Sequence, residues 1–99
     1  MSVMMVRARV RSEQASQVEA AVRKVFSAIE AAQPEGVRYA SCRLPDGVTF
    51  VIFLELEEGT GNPLPALPEF RDFQAGLAEW LAEPPVQEQL SVVGSYRLF

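Results

Sequence analysis

Few side chains in this chain are equipped for chemistry, and the most telling residue is a missing one: the 99-residue sequence has no histidine. An imidazole general base, a histidine-ligated zinc and a proximal haem histidine are therefore excluded. The single cysteine, Cys42, cannot close an internal disulfide. Its place in a strand-like segment points to a small buried hydrophobe rather than a reactive thiol, in a reducing compartment. The remaining charged constellation is Arg7, Arg9, Arg43 and Arg97, expected on one sheet face with Glu55 as acidic partner. Such a group is read first as a salt-bridge network that fixes register, and second as an anion site.

The elements that position these residues follow from periodicity. Residues Val3 to Arg11 alternate, with Val6, Ala8 and Val10 on one side and Met5, Arg7, Arg9 and Arg11 on the other, which predicts a strand. Ser12 is placed to cap a helix whose apolar positions Ala15, Val18, Val22, Val25 and Ile29 recur every three or four residues, to about Gln33. Pro34 and Gly36 end it. A second strand is expected over Val37 to Leu44, then a Pro45-Asp46-Gly47 turn, then a third strand over Val48 to Leu56. That third strand is apolar on both faces, with Phe50, Ile52, Leu54 and Leu56 on one and Val51 and Phe53 on the other.

The Gly- and Pro-rich stretch from Glu57 to Pro68 is read as an unusually long loop, a covering flap or a functional segment. Glu69 to Ala82 carries Phe70, Phe73, Leu77, Trp80 and Leu81 at helical spacing, with Gly76 marking a close approach to a neighbour. Pro84-Pro85 stops this helix, and a fourth strand is expected from Gln89 to Phe99.

The order β-α-β-β-α-β is ferredoxin-like, an α+β fold with a four-stranded antiparallel sheet and both helices on one face. The opposite face would carry Met5, Val51, Phe53, Val93 and Tyr39, each contributing roughly 1.5–3 kcal/mol when removed from water. A single domain of residues 1–99 buries only about 65 % of its unfolded surface. A second copy of the chain is the expected cover, giving a homodimer. The net charge of −4 supplies no basic field, so no nucleic-acid partner is expected. No apolar run approaches the roughly 20 residues of a membrane span, and the N-terminus shows no cleavage site. A soluble, cytoplasmic protein without a membrane partner is the expectation.

The opening strand Met4-Met5-Val6-Arg7-Ala8-Arg9-Val10, the Pro34-Glu35-Gly36-Val37-Arg38-Tyr39 entry to the second strand, the apolar third strand and Pro68-Glu69-Phe70-Arg71-Asp72-Phe73 resemble the dimeric α/β-barrel proteins. Within them the chain resembles the small antibiotic-biosynthesis monooxygenase-like family, over nearly its whole length. The resemblance implies a dimeric α/β barrel and, as one activity, monooxygenation of quinols or polycyclic aromatics without metal or flavin. The haem-degrading branch is set aside, because its axial histidine is missing. The cofactor-free branch is associated with an asparagine and a tryptophan in the pocket, and this sequence offers Asn62 and Trp80. Asn62 precedes Pro63 and is more simply read as a turn residue, while core packing is the default reading of Trp80 ahead of lining a cavity.

Two functions are carried forward. One is a cofactor-independent monooxygenase acting on an electron-rich aromatic, in which Phe50, Phe73 and Trp80 clasp the ring while Tyr96 and Asn62 supply hydrogen bonds. The other is a non-catalytic dimer that binds a small apolar ligand or serves another enzyme. Neither requires a metal or a cofactor, and the small partner expected in both is an aromatic or otherwise apolar molecule.

Overall fold

The third strand, apolar on both faces, lies in the sheet interior. The computed structural model describes residues 2–59 and 61–98; Met1, Thr60 in the long loop and Phe99 at the end of the expected last strand lie outside the described residues. Its elements are β1 (Ser2–Arg9), a 3-10 turn (Ser12–Gln14), α1 (Ala15–Ala32), β2 (Val37–Arg43), β3 (Thr49–Leu56), a 3-10 turn (Leu64–Ala66), α2 (Pro68–Trp80) and β4 (Val86–Leu90). The strands form one antiparallel sheet in the order β2-β3-β1-β4, so the ferredoxin-like arrangement is observed.

Register assigns the faces, because directly opposed residues in an antiparallel pair share one. Met4, Val6 and Ala8 oppose Leu54, Ile52 and Phe50, while Tyr39 opposes Leu54. Both helices pack on this side, where Val10, Ala15, Val18, Val25, Phe50, Leu54, Leu64, Phe70 and Phe73 form the buried core. The same register moves two residues expected on the bare face. Tyr39 and Arg43 belong to the helix side because they oppose Leu54 and Phe50. Arg43 accordingly reaches Glu19 of α1 at 3.6 Å and lies 5.8 Å from the Phe50 ring centroid.

The start of α1 and the end of α2 differ from expectation for backbone reasons, while α1 ends at Ala32 with Gln33 as its cap, as expected. Val10 and Arg11 are already held, their N–H groups donating to Val48 O and Trp80 O at 2.9 Å, so the chain turns through Ser12–Gln14 before α1 begins at Ala15. Ser12 is not the cap. At the other end Gln33 adopts a left-handed φ of 48° and donates to Ile29 O at 2.8 Å, so α1 stops before Pro34. Helix α2 stops at Trp80, ahead of Pro84, because Leu81 bridges Val10 and Ala82 N–H donates to Arg9 O at 2.9 Å. Competing strand hydrogen bonds end the helix earlier than proline does.

The fourth strand is also corrected. It is Val86–Leu90 rather than Gln89 to Phe99, paired with β1 from Val3↔Leu90 to Arg7↔Val86. A polar edge strand carries a weak apolar signal, and polarity there discourages edge-to-edge pairing with other chains. The apolar residues of segment 91–98 do not lie in the sheet: Val93 is fully exposed.

On the face away from the helices lie Met5, Val51 and Phe53, all half-buried, with Arg7, Arg9 and Cys42 exposed. The exposure of Cys42 on edge strand β2 corrects its reading as a buried hydrophobe. Glu55 is only 3 % exposed there, and its Oε2 has no hydrogen-bond partner among the described residues. Arg7, Arg9, Arg43 and Arg97 make no ion pair with it among the described residues, so the expected network is not formed within the chain.

Candidate functional site

Helix α2 contributes one continuous stripe to a cavity above the sheet. Phe70, Phe73, Gln74, Leu77 and Ala78 recur at helical spacing, and Leu81 extends the row past the helix end. Opposite them Met4 and Val6 of β1 and Ile52 and Leu54 of β3 form an apolar floor. The cavity volume is about 340 Å³, within the range of small-molecule sites, and it opens to solvent on one side. Tyr39, Asn62, Gln74 and Gln87 are its polar wall residues, and among the described residues no Asp, Glu, Lys or Arg lines it.

Tyr39 is held by two aromatic contacts. Phe26 stacks on it with centroids 5.1 Å apart, and Phe70 meets it edge-on at 6.3 Å. Burial disfavours the phenolate and pushes the hydroxyl up to about 12, so it stays a proton-bearing donor at neutral pH. Asn62 is fixed by its turn: its Oδ1 accepts the Leu64 N–H at 3.0 Å, which leaves the Nδ2 hydrogens without a partner among the described residues. Leu64, with 0 % exposure, plugs into the core and ties the loop down. The turn reading of Asn62 and its position on a cavity wall are therefore compatible.

Of the residues expected to hold a substrate, Asn62 and Phe73 meet at this cavity. Phe50 is buried elsewhere in the core, opposite Ala8 and under Arg43. Trp80 faces a separate groove of about 490 Å³ between the two helices, with Gln17, Lys24, Glu69, Asp72 and the shared Phe73. Its indole covers Gly76, where an added Cβ would stand 2.6 Å from the ring, so the close approach expected at Gly76 is to Trp80 of the same helix. Tyr96 lies in the C-terminal segment, 82 % exposed and 5.1 Å from the Arg97 guanidinium, away from the cavity.

Sequence reasoning missed Tyr39, Gln74 and Gln87. Gln74 was detectable as the polar member of an otherwise apolar stripe. Tyr39 was detectable by pairing β2 against β3 across the Asp46-Gly47 turn.

Among the described residues no group of three or more Cys, Asp or Glu side chains is placed to hold a metal ion. No helix among the described residues is long and apolar enough to cross a membrane.

No protein-family model matches the sequence, and no curated protein does. Solved structures do match. A candidate antibiotic biosynthesis monooxygenase from Nitrosomonas europaea superposes with a TM-score of 0.74 at 18 % identity, covering 95 % of this chain and 100 % of its own. Another from Caulobacter crescentus gives 0.74 at 21 % identity, covering 94 % and 90 %. A variant of SnoaB, a cofactor-independent oxygenase from Streptomyces nogalater, gives 0.70 at 13 % identity, covering 97 % and 96 %. With its element order, strand pairing and near-complete overlap, the chain has the fold of the antibiotic-biosynthesis-monooxygenase-like proteins.

Proposed function

We propose that this protein is a cofactor-independent monooxygenase acting on an electron-rich aromatic of the quinol type, and that it works as a homodimer. The observation that carries the reading is the apolar cavity under α2, with the Tyr39 phenol kept protonated and the Asn62 amide free to donate. Similarity of fold to a cofactor-independent oxygenase supports it.

The chemistry asks little of the protein. A hydroquinone or anthrone that loses a proton becomes an electron-rich anion able to reduce dioxygen directly. Recombination of the two radicals forms a carbon–oxygen bond. Loss of water then leaves one oxygen on the ring as a carbonyl and releases the other, and all the electrons come from the substrate. The chain's contribution is a water-poor site that orients the ring between Phe73 and the sheet, with Tyr39 and Asn62 as donors toward the developing oxyanion. The proton leaves to solvent at the cavity mouth.

Dimerisation is proposed through the sheet face opposite the helices. Met5, Val51 and Phe53 are only half-covered there, and Leu98, 64 % exposed, lies beside them in a groove with Ala40 and Phe53. The unpartnered oxygen of Glu55 is a further group that a second copy could satisfy. Sedimentation across a wide concentration range tests this. A monomer at every concentration refutes it.

A non-catalytic ligand-binding role is favoured by one specific observation, that among the described residues no carboxylate or other ready base lines the cavity. Oxygen uptake during incubation with hydroquinones and anthrones separates the readings. The monooxygenase reading requires uptake that falls at least tenfold in Tyr39→Phe or Asn62→Ala. Binding without uptake supports the ligand-binding role.

A further inference from the structure

Helix α2 offers the cavity a stripe of apolar side chains interrupted once, by Gln74. Across the gap the edge strand β4 offers Gln87, which opposes Val6 and therefore points to the same side of the sheet. Both glutamines are exposed, so they stand at the rim rather than in the core. Each amide both donates and accepts a hydrogen bond, and neither carries charge.

We propose that Gln74 and Gln87 are specificity-determining residues that restrict this cavity to uncharged, oxygen-bearing ligands of about two fused rings. The inference rests on the cavity assigned above but not on its chemistry. An ionised carboxylate or phosphate entering it would leave water without meeting a cation, since among the described residues no Lys or Arg lines the walls, and desolvating an unpaired charge is strongly unfavourable. The net charge of −4 adds long-range repulsion of anions. Hydroxyl and carbonyl groups, by contrast, find neutral partners in Gln74, Gln87 and Asn62 at the exposed rim and in the half-buried Tyr39. Size follows from volume: at about 340 Å³ the cavity is at the small end of small-molecule sites, which sets the scale at about two fused rings.

The test uses a matched pair of naphthalenes, 1-naphthol and 1-hydroxy-2-naphthoate, titrated calorimetrically into the full-length protein under argon. Wild type is expected to bind 1-naphthol at least tenfold more tightly. Gln87→Lys, an exposed position where folding is not at stake, should narrow that ratio at least threefold by strengthening the carboxylate, and Gln74→Lys should do the same. Gln74→Leu should weaken 1-naphthol while leaving the carboxylate poor. Equal or tighter binding of the carboxylate by wild type overturns the proposal, as do lysine variants that leave the ratio unchanged, or no binding of either compound. Neutral selectivity in a protein that takes up no oxygen with any quinol would refute the monooxygenase reading and leave this one standing.

Discussion

Tyr39 makes a prediction that isolates one titration. Its hydroxyl is pushed up to about 12 by burial, against an ordinary value near 10 in the unfolded chain. The folded state therefore favours the neutral phenol. The associated stability is fully present below about pH 10 and is lost as the pH rises through the folded value. Since a shift of one unit corresponds to about 1.36 kcal/mol, raising the pH from about 8 to about 11.5 should remove about 2 kcal/mol. Few other groups confuse this window, because the chain has one lysine, one cysteine and no histidine, and its second tyrosine, Tyr96, is exposed. Tyr39→Phe removes the titration while keeping the ring against Phe26 and Phe70. The measurement is urea unfolding of both proteins at the two pH values, with tyrosinate absorbance followed in parallel. At the lower pH the variant should match wild type to within about 1 kcal/mol, the scale of one ordinary hydrogen bond. At the higher pH wild type should have lost about 2 kcal/mol more than the variant. Parallel loss in the two proteins would refute the placement of Tyr39 on the buried side of the sheet.

Leu64→Ala should destabilise the fold by about 3 kcal/mol, since it empties a fully buried position, and thermal unfolding would show it. The same change should loosen Asn62, whose side chain caps the turn that Leu64 anchors, so amide exchange across 61–67 should accelerate more than in the rest of the chain. Gly76→Ala should lower the melting temperature despite the better helix propensity of alanine, because the new Cβ meets the Trp80 ring at 2.6 Å; unchanged tryptophan fluorescence would argue against that contact. Asp46 accepts the Thr49 hydroxyl at 2.6 Å and the Val48 and Thr49 N–H groups at 2.9 Å, bonds that hold its carboxyl below the ordinary range. Its contribution is present above the ordinary carboxylate range and is lost as pH falls through the depressed folded value, so Asp46→Ala should lower stability at neutral pH and flatten the acid limb of the profile.

The elements that sequence exposed most clearly are those whose burial is decided by one pattern. Strand β3 is central in the sheet, and both of its faces announced it. The Asp46-Gly47 turn was equally legible, because Gly47 at a φ of 78° and an acceptor at Asp46 are local requirements. The polar edge strand β4 was not, since Val86-Gln87-Glu88-Gln89-Leu90 owes its strand state to hydrogen bonds from β1 rather than to its own periodicity. The same dependence on a remote partner explains why α2 ends at Trp80 instead of at the prolines, and why Tyr96 was mistaken for a strand residue. Asn62 was found from family resemblance and Phe73 from helical spacing. Tyr39 was missed only because the hairpin's register was not carried through to the faces.

The two sides of the sheet place different demands on the chain, and this bears on how a site could persist with so few chemical groups. On the helix side every polar residue of the cavity is neutral at physiological pH, so the pocket can be dry without an uncompensated charge. On the far side lie the charged Arg7 and Arg9 beside the uncharged Thr49, and Glu55 is buried with an oxygen unpartnered among the described residues. A buried acceptor left without a donor costs about 1–3 kcal/mol, and a donor supplied by a second copy would remove that cost. Association through this face would leave the neutral cavity on the opposite side intact, so subunit pairing and ligand selection can be altered independently. Glu55→Gln is the substitution that separates them: it should change the concentration dependence of assembly while leaving the 1-naphthol preference untouched, and loss of both together would show that the two faces are coupled.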